Sequence, residues 1–165
     1  MTEIDPKEIL YTIGIYVFRH PEKDGDMITP HGAKQMLATA RQLNDDPQLD
    51  TVHRLIYSGA ERTWEAAMVM AAGLGLRMLP EMNDGFDPSN LVTSFGVDRI
   101  MAEALLTKEN GGTVRRGMND SLFAVQGRQA MTATLTTLAK DMVDKDQDTA
   151  VVISHTPWAE LATDD

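Results

Sequence analysis

Apolar residues fall along this chain in two rhythms. Ile13 to Phe18 and Thr149 to Ile153 are apolar at nearly every position, which predicts strands buried on both faces. Val52 to Tyr57 predicts a strand between them in sequence, and Leu76 to Leu79 a shorter one. Elsewhere the period lengthens to that of a helix. Ala33, Met36, Leu37, Ala40 and Leu43 recur at helical spacing, and Thr29-Pro30 in front supplies an N-cap and a proline at the first helical position. Trp64, Ala67, Met68, Ala71 and Leu74 repeat that spacing, and Ser58 with Glu61 has the spacing of a capping box. Leu91 to Leu106 predicts a third helix. Ser121 to Val143 predicts a long fourth, with Met131, Leu135, Leu138 and Met142 on one face. The methionine-rich faces predict core. Asp45 to Leu49, Asp84 to Asn90 and Glu109 to Gly117 predict loops.

Strands alternating with helices predict an α/β fold. The expected architecture is a three-layer sandwich, a mostly parallel central sheet with helices on both faces. A chain of 165 residues suits one domain, 1–165, with a sizeable core. Composition adds little, since 42% hydrophobic and 24% charged residues are ordinary for a soluble globular protein. No apolar run approaches the length of a membrane-spanning helix. Met1 to Lys7 lacks the order of a signal peptide, and zero cysteines exclude disulfides and thiolate metal sites, so a cytoplasmic location is expected. A net charge of −10 argues against nucleic acid and anionic membranes as partners.

The candidate chemistry sits where the predicted strands end. Arg19-His20 closes the first strand, Ser58 to Arg62 follows the second, and Ser154-His155 closes the last. Strand ends are where open α/β sheets place ligands. Two guanidiniums and two imidazoles in one cleft make a receptor for a phosphoryl group, and one imidazole can also be a nucleophile. In so acidic a chain, that pocket must be locally positive. The guanidiniums supply charge stabilisation, so no metal or other cofactor is expected. His31 and His53 read as structural or exposed, and Arg115 and Arg116 as solvated loop residues.

These motifs resemble those of the histidine phosphatase superfamily, also called phosphoglycerate mutase-like. The family pairs Arg and His after the first strand, here Val17-Phe18-Arg19-His20-Pro21-Glu22-Lys23. Its Leu-Thr-x-x-Gly appears as Ile28-Thr29-Pro30-His31-Gly32, and its Ser-x-x-x-Arg as Ser58-Gly59-Ala60-Glu61-Arg62. Its second histidine appears in Ser154-His155-Thr156. The resemblance spans about Ile13 to Leu161. It implies that His20 is the nucleophile, with Arg19, Arg62 and His155 binding phosphate and His155 assisting catalysis. It also points to a general acid in a Leu-x-Glu segment, here Leu79-Pro80-Glu81, with Glu22, Asp24 and Asp26 as rivals closer to His20. The alternative of an Asp after the second histidine is closed by Thr156.

Three departures stand out. Pro21 replaces a frequent glycine and removes a backbone donor beside His20. Ala66 replaces a threonine. The chain also ends ten residues after His155, where family members continue through a further helix and strand, so a trimmed or bare C-terminal edge is expected. The expected function is a metal-independent phosphatase acting on a phosphomonoester or phosphoramidate through a phosphohistidine. Its partner would be a small phosphorylated substrate or a phosphoprotein. A non-catalytic phospho-ligand-binding protein and a phosphomutase are the alternatives.

Overall fold

The computed structural model describes residues 12–47, 49, 51–87, 102, 109–111 and 122–155. Its central sheet grows from the last apolar run. Strand β6 (Thr149–Ser154) is buried at all six positions. Strand β1 (Gly14–Arg19) pairs with it in parallel, from Gly14 opposite Thr149 to Arg19 opposite Ser154. On the other edge of β6 lies β4 (Arg54–Tyr57), with Tyr57 opposite Ile153. The two-residue β5 (Glu81–Met82) completes the order β1-β6-β4-β5. A central strand with protein on both faces has no polar side to show, which is why its sequence does not alternate.

Successive side chains point to opposite faces of a strand and so build two cores. Ile15, Val17, Ile56, Ala150 and Val152 pack with Phe86 and with Met131, Leu138 and Met142 of helix α3 (Leu122–Asp144). Tyr16, Phe18, Leu55, Val151 and Ile153 face the other way, against α1 (Pro30–Asn44) and α2 (Glu61–Leu74). The result is the expected three-layer arrangement, with helices on both faces of a parallel sheet. No helix among the described residues is long and apolar enough to cross a membrane.

Three local expectations are corrected. The short strand expected at Leu76 to Leu79 forms instead at Glu81–Met82. Helix α2 ends in a left-handed Gly75, and the Leu76 N–H turns back to bond the Ala71 carbonyl at 2.9 Å. The chain therefore spends Leu76 and Met78 packing under the helical layer before reaching the sheet edge. Second, Trp64 is 44% exposed, and the buried face of α2 is Thr63, Ala66, Ala67, Met70 and Ala71. The approach of α1 and α2 is tight enough that a Cβ on Gly73 would lie 2.5 Å from the Ala40 Cβ, so this seam admits only small residues. Third, Ser58 is not the helix cap. The N-cap of α2 is Ala60, without a side-chain bond, while Ser58 is fully buried and donates to Thr63 Oγ1 at 3.3 Å. Gly59, with φ of +87°, turns the chain between them.

Helix α1 starts as expected, with Thr29 Oγ1 accepting from Gly32 N at 2.9 Å. Ahead of it lies an unforeseen hairpin. Strands β2 (Lys23–Asp24) and β3 (Met27–Ile28) pair antiparallel around Gly25, whose φ is +58°. The helix expected at 91–106, most of the 109–117 loop, and residues Arg115, Arg116 and Thr156 lie outside the described residues.

Candidate active site

The register of β1 against β6 brings the two histidines together. Arg19 is opposite Ser154, so the next residues, His20 and His155, emerge side by side at the strand ends. The His20 N–H extends the ladder by donating to the Ser154 carbonyl at 2.9 Å. The two rings meet edge to face, with centroids 5.3 Å apart and planes at 69°. Arg62, in the first turn of α2, reaches across and places Nη2 3.2 Å from His155 Nδ1.

These contacts assign the protons. His20 Nδ1 lies 2.8 Å from the Pro21 carbonyl, which can only accept, so Nδ1 carries the proton and Nε2 the lone pair. The Arg62 guanidinium can only donate, so His155 Nδ1 accepts and its proton sits on Nε2. One imidazole thus offers a lone pair and the other an N–H donor.

Burial disfavours the charged form of both rings. His20 titrates below its ordinary range, first because it is desolvated, then because Arg62, Lys23 and Arg19 are nearby; the Pro21 bond opposes this. His155 is pushed down to about 4, mainly by burial, with Arg62 and His20 adding to it and Asp87 opposing. Arg19 shares with His20, Pro21, Glu22, Lys23 and Gln35 a cavity of about 390 Å³.

The carboxylates expected from the sequence are otherwise engaged. Glu81 stands opposite Ile56, and both its oxygens are held by Arg54, at 2.6 Å to Nη2 and 3.2 Å to Nε. Arg54 also bonds Asp141 on α3 at 2.6 Å, which holds this network to the α3 side of the sheet. Glu22 accepts from Thr29 Oγ1 at 3.0 Å. Asp24 lies exposed on β2. Asp26 bonds Arg62 Nη1 at 2.9 Å. Among the described residues, no group of three His, Cys, Asp or Glu side chains is arranged to hold a metal ion.

Two further residues at the site escape a reading of spacing. Lys23 acts on both imidazoles from the hairpin. Asp87 acts on His155: Ser154 Oγ donates to the Phe86 carbonyl at 3.0 Å, and His155 and Asp87 are the next residue after each. Neither has a sequence signal beyond closeness to a motif; the Ser154–Phe86 bond joins positions 68 apart.

No family model matches the chain, and neither does any curated protein sequence. Among solved structures, phosphoglycerate mutase from Bacillus anthracis str. Sterne superposes with a TM-score of 0.56, at 11% identity, over 88% of this chain and 75% of that one. The chain has the fold of that phosphoglycerate mutase. A mycobacterial glucosyl-3-phosphoglycerate phosphatase aligns over 84% of this chain and 72% of its own, at 16% identity and a TM-score of 0.44.

Proposed function

We propose that this chain is a metal-independent, cytoplasmic phosphatase working through a phosphohistidine at His20. One observation carries the reading: a desolvated imidazole with its Nδ1 proton committed to a carbonyl, beside a second imidazole and an arginine. Nε2 of His20 attacks phosphorus, and the bond from phosphorus to the leaving oxygen breaks. Arg62, Arg19 and the His155 Nε2–H hold the phosphoryl oxygens as charge shifts onto them. A carboxylic acid protonates the leaving oxygen. As its carboxylate it then takes a proton from water, which attacks phosphorus, breaks the P–N bond and releases phosphate.

The test is direct. A phosphoenzyme trapped from an aryl phosphate should be labile in acid and stable in base, and turnover should survive a chelator. A base-labile label, or activity that needs an added metal, would overturn the reading.

For the acid, the proposal keeps Glu81, which must exchange Arg54 for the leaving oxygen. Asp87 is the alternative favoured by its action on His155. Glu81→Gln and Asp87→Asn should be compared on alkyl and nitrophenyl phosphates. The variant of the true acid loses about 10²–10⁴-fold on the alkyl ester and much less on the aryl one. If neither shows that dependence, the acid is another carboxylate, with Glu22, Asp24 and Asp26 next to be tested; if the wild type turns over neither ester, the non-catalytic binding reading, which the engaged Glu81 favours, replaces this one. The substrate class, a small phosphate ester or a phosphorylated side chain, is part of the same proposal.

A further inference from the structure

Arg62 leaves part of its hydrogen-bonding capacity unused. A guanidinium has five N–H donors in a rigid plane. Nη1 bonds Asp26, Nη2 bonds His155, and Nε is buried without a partner among the described residues. Its orientation is fixed at two points, Nη1 and Nη2, which leaves N–H donors without a described partner.

The Asp26 end of this arrangement is itself anchored. Arg62 and Glu65 are three residues apart on α2 and so share a face. Glu65 Oε2 accepts from the Ile28 N–H at 2.8 Å, which fastens the hairpin to that face. The hairpin is fastened again at the Thr29 N–H, which donates to the Glu22 carbonyl at 3.0 Å. Asp26 therefore meets Arg62 from a turn docked on the same helix. Its side chain is 79% exposed, and exposed ion pairs add little stability, so the pair has little to do with holding the fold.

We propose that Asp26 is a positioning residue: it orients the Arg62 guanidinium so that one edge presents donors to a bound phosphoryl group while Nη2 fixes the tautomer of His155. The proposal rests on the phosphoryl-site reading above. It predicts an effect opposite to plain electrostatics. A carboxylate beside an anion site repels the anion, so its loss should tighten phosphate binding if charge alone mattered. If orientation dominates, its loss weakens binding, because Arg62 leaves its fork geometry and His155 loses the donor that holds its proton on Nε2.

The experiment compares wild type, Asp26→Ala and Asp26→Asn by two readouts near pH 7.5. Nitrogen-15 spectra report the His155 tautomer, and titration with inorganic phosphate reports affinity. Wild type should show His155 with an unprotonated Nδ1. Asp26→Ala should mix the tautomers and weaken phosphate binding about tenfold, the loss of one charge-assisted hydrogen bond, with little change in melting temperature. Asp26→Asn keeps an acceptor without the charge and should restore most of both. A single unchanged tautomer in Asp26→Ala, or phosphate binding that is equal or tighter, would overturn the proposal. If wild type binds no phosphate, the phosphoryl-site reading fails, while the tautomer measurement still decides whether Asp26 acts through Arg62.

Discussion

His20→Ala should lose about 10⁴-fold or more in kcat/KM on an aryl phosphate, and all phosphoenzyme labelling. Removing a covalent nucleophile deletes the step itself and not merely one contact, so losses of this size are usual. His155→Gln should lose less, about 10²–10³-fold, because it removes one donor to the phosphoryl oxygens and leaves the nucleophile in place. The pH profile separates the two roles further. A protonated imidazole has no lone pair, so activity falls as pH drops through the His20 pKa. That pKa lies below 6.5, through burial and three nearby cations. The acid limb of kcat/KM, which reports the free enzyme, should therefore sit below 6.5. Lys23→Gln removes one of the cations and should move that limb upward. An acid limb above the ordinary histidine range, or full labelling in His20→Ala, would exclude His20 as the nucleophile.

The sheet was legible because burial erases alternation. The runs around Ile13 to Phe18 and Thr149 to Ile153 are continuous in sequence for the same reason that β1 and β6 pair residue for residue. The ends of those strands named the histidines, and a parallel register then brings such ends to one edge of the sheet. What spacing could not show were contacts made across space. Trp64 fits a helical period as well as Ala67, but only the closeness of α2 to α1 decides which of them is buried. Leu76 and Met78 are apolar because they lie under the helices, and they mimic a strand that begins only at Glu81. Ser58 and Glu61 have the right spacing for a cap, yet the left-handed turn at Gly59 puts Ser58 inside. Glu81 has a family-like position, but its partner Arg54 lies 27 residues earlier and is reached only once β4 and β5 pair. Asp26 is close to His20 in sequence. Its bond goes to Arg62, 36 residues on, through a hairpin whose strands are two residues each and too short to leave a pattern.

Gly32→Ala should be among the most damaging added methyls at the described glycines, and it connects the fold to the chemistry. A Cβ at this position would collide with the Glu22 carbonyl oxygen and lie 3.1 Å from its carbon. Both are backbone atoms, so no side chain can swing away. Either α1 must withdraw or the segment after His20 must move. That segment is held on every side: Glu22 O accepts from Thr29 N, Glu22 Oε1 from Thr29 Oγ1, and Pro21 O from His20 Nδ1. Forcing a methyl into such a contact costs about 3 kcal/mol, or roughly 6–12 °C in melting temperature for a chain of this size. Gly73→Ala is the control. Its Cβ would clash at 2.5 Å with Ala40 Cβ in the seam between α1 and α2, so it should destabilise comparably. Its clash is with a side chain of the helical core, so phosphate affinity per folded molecule should be unchanged. Gly32→Ala should lose stability and also weaken phosphate binding, because the displaced backbone carries the carbonyl that fixes the His20 tautomer. Equal phosphate binding in the two variants would mean that the contact of Gly32 with Glu22 supports only the fold.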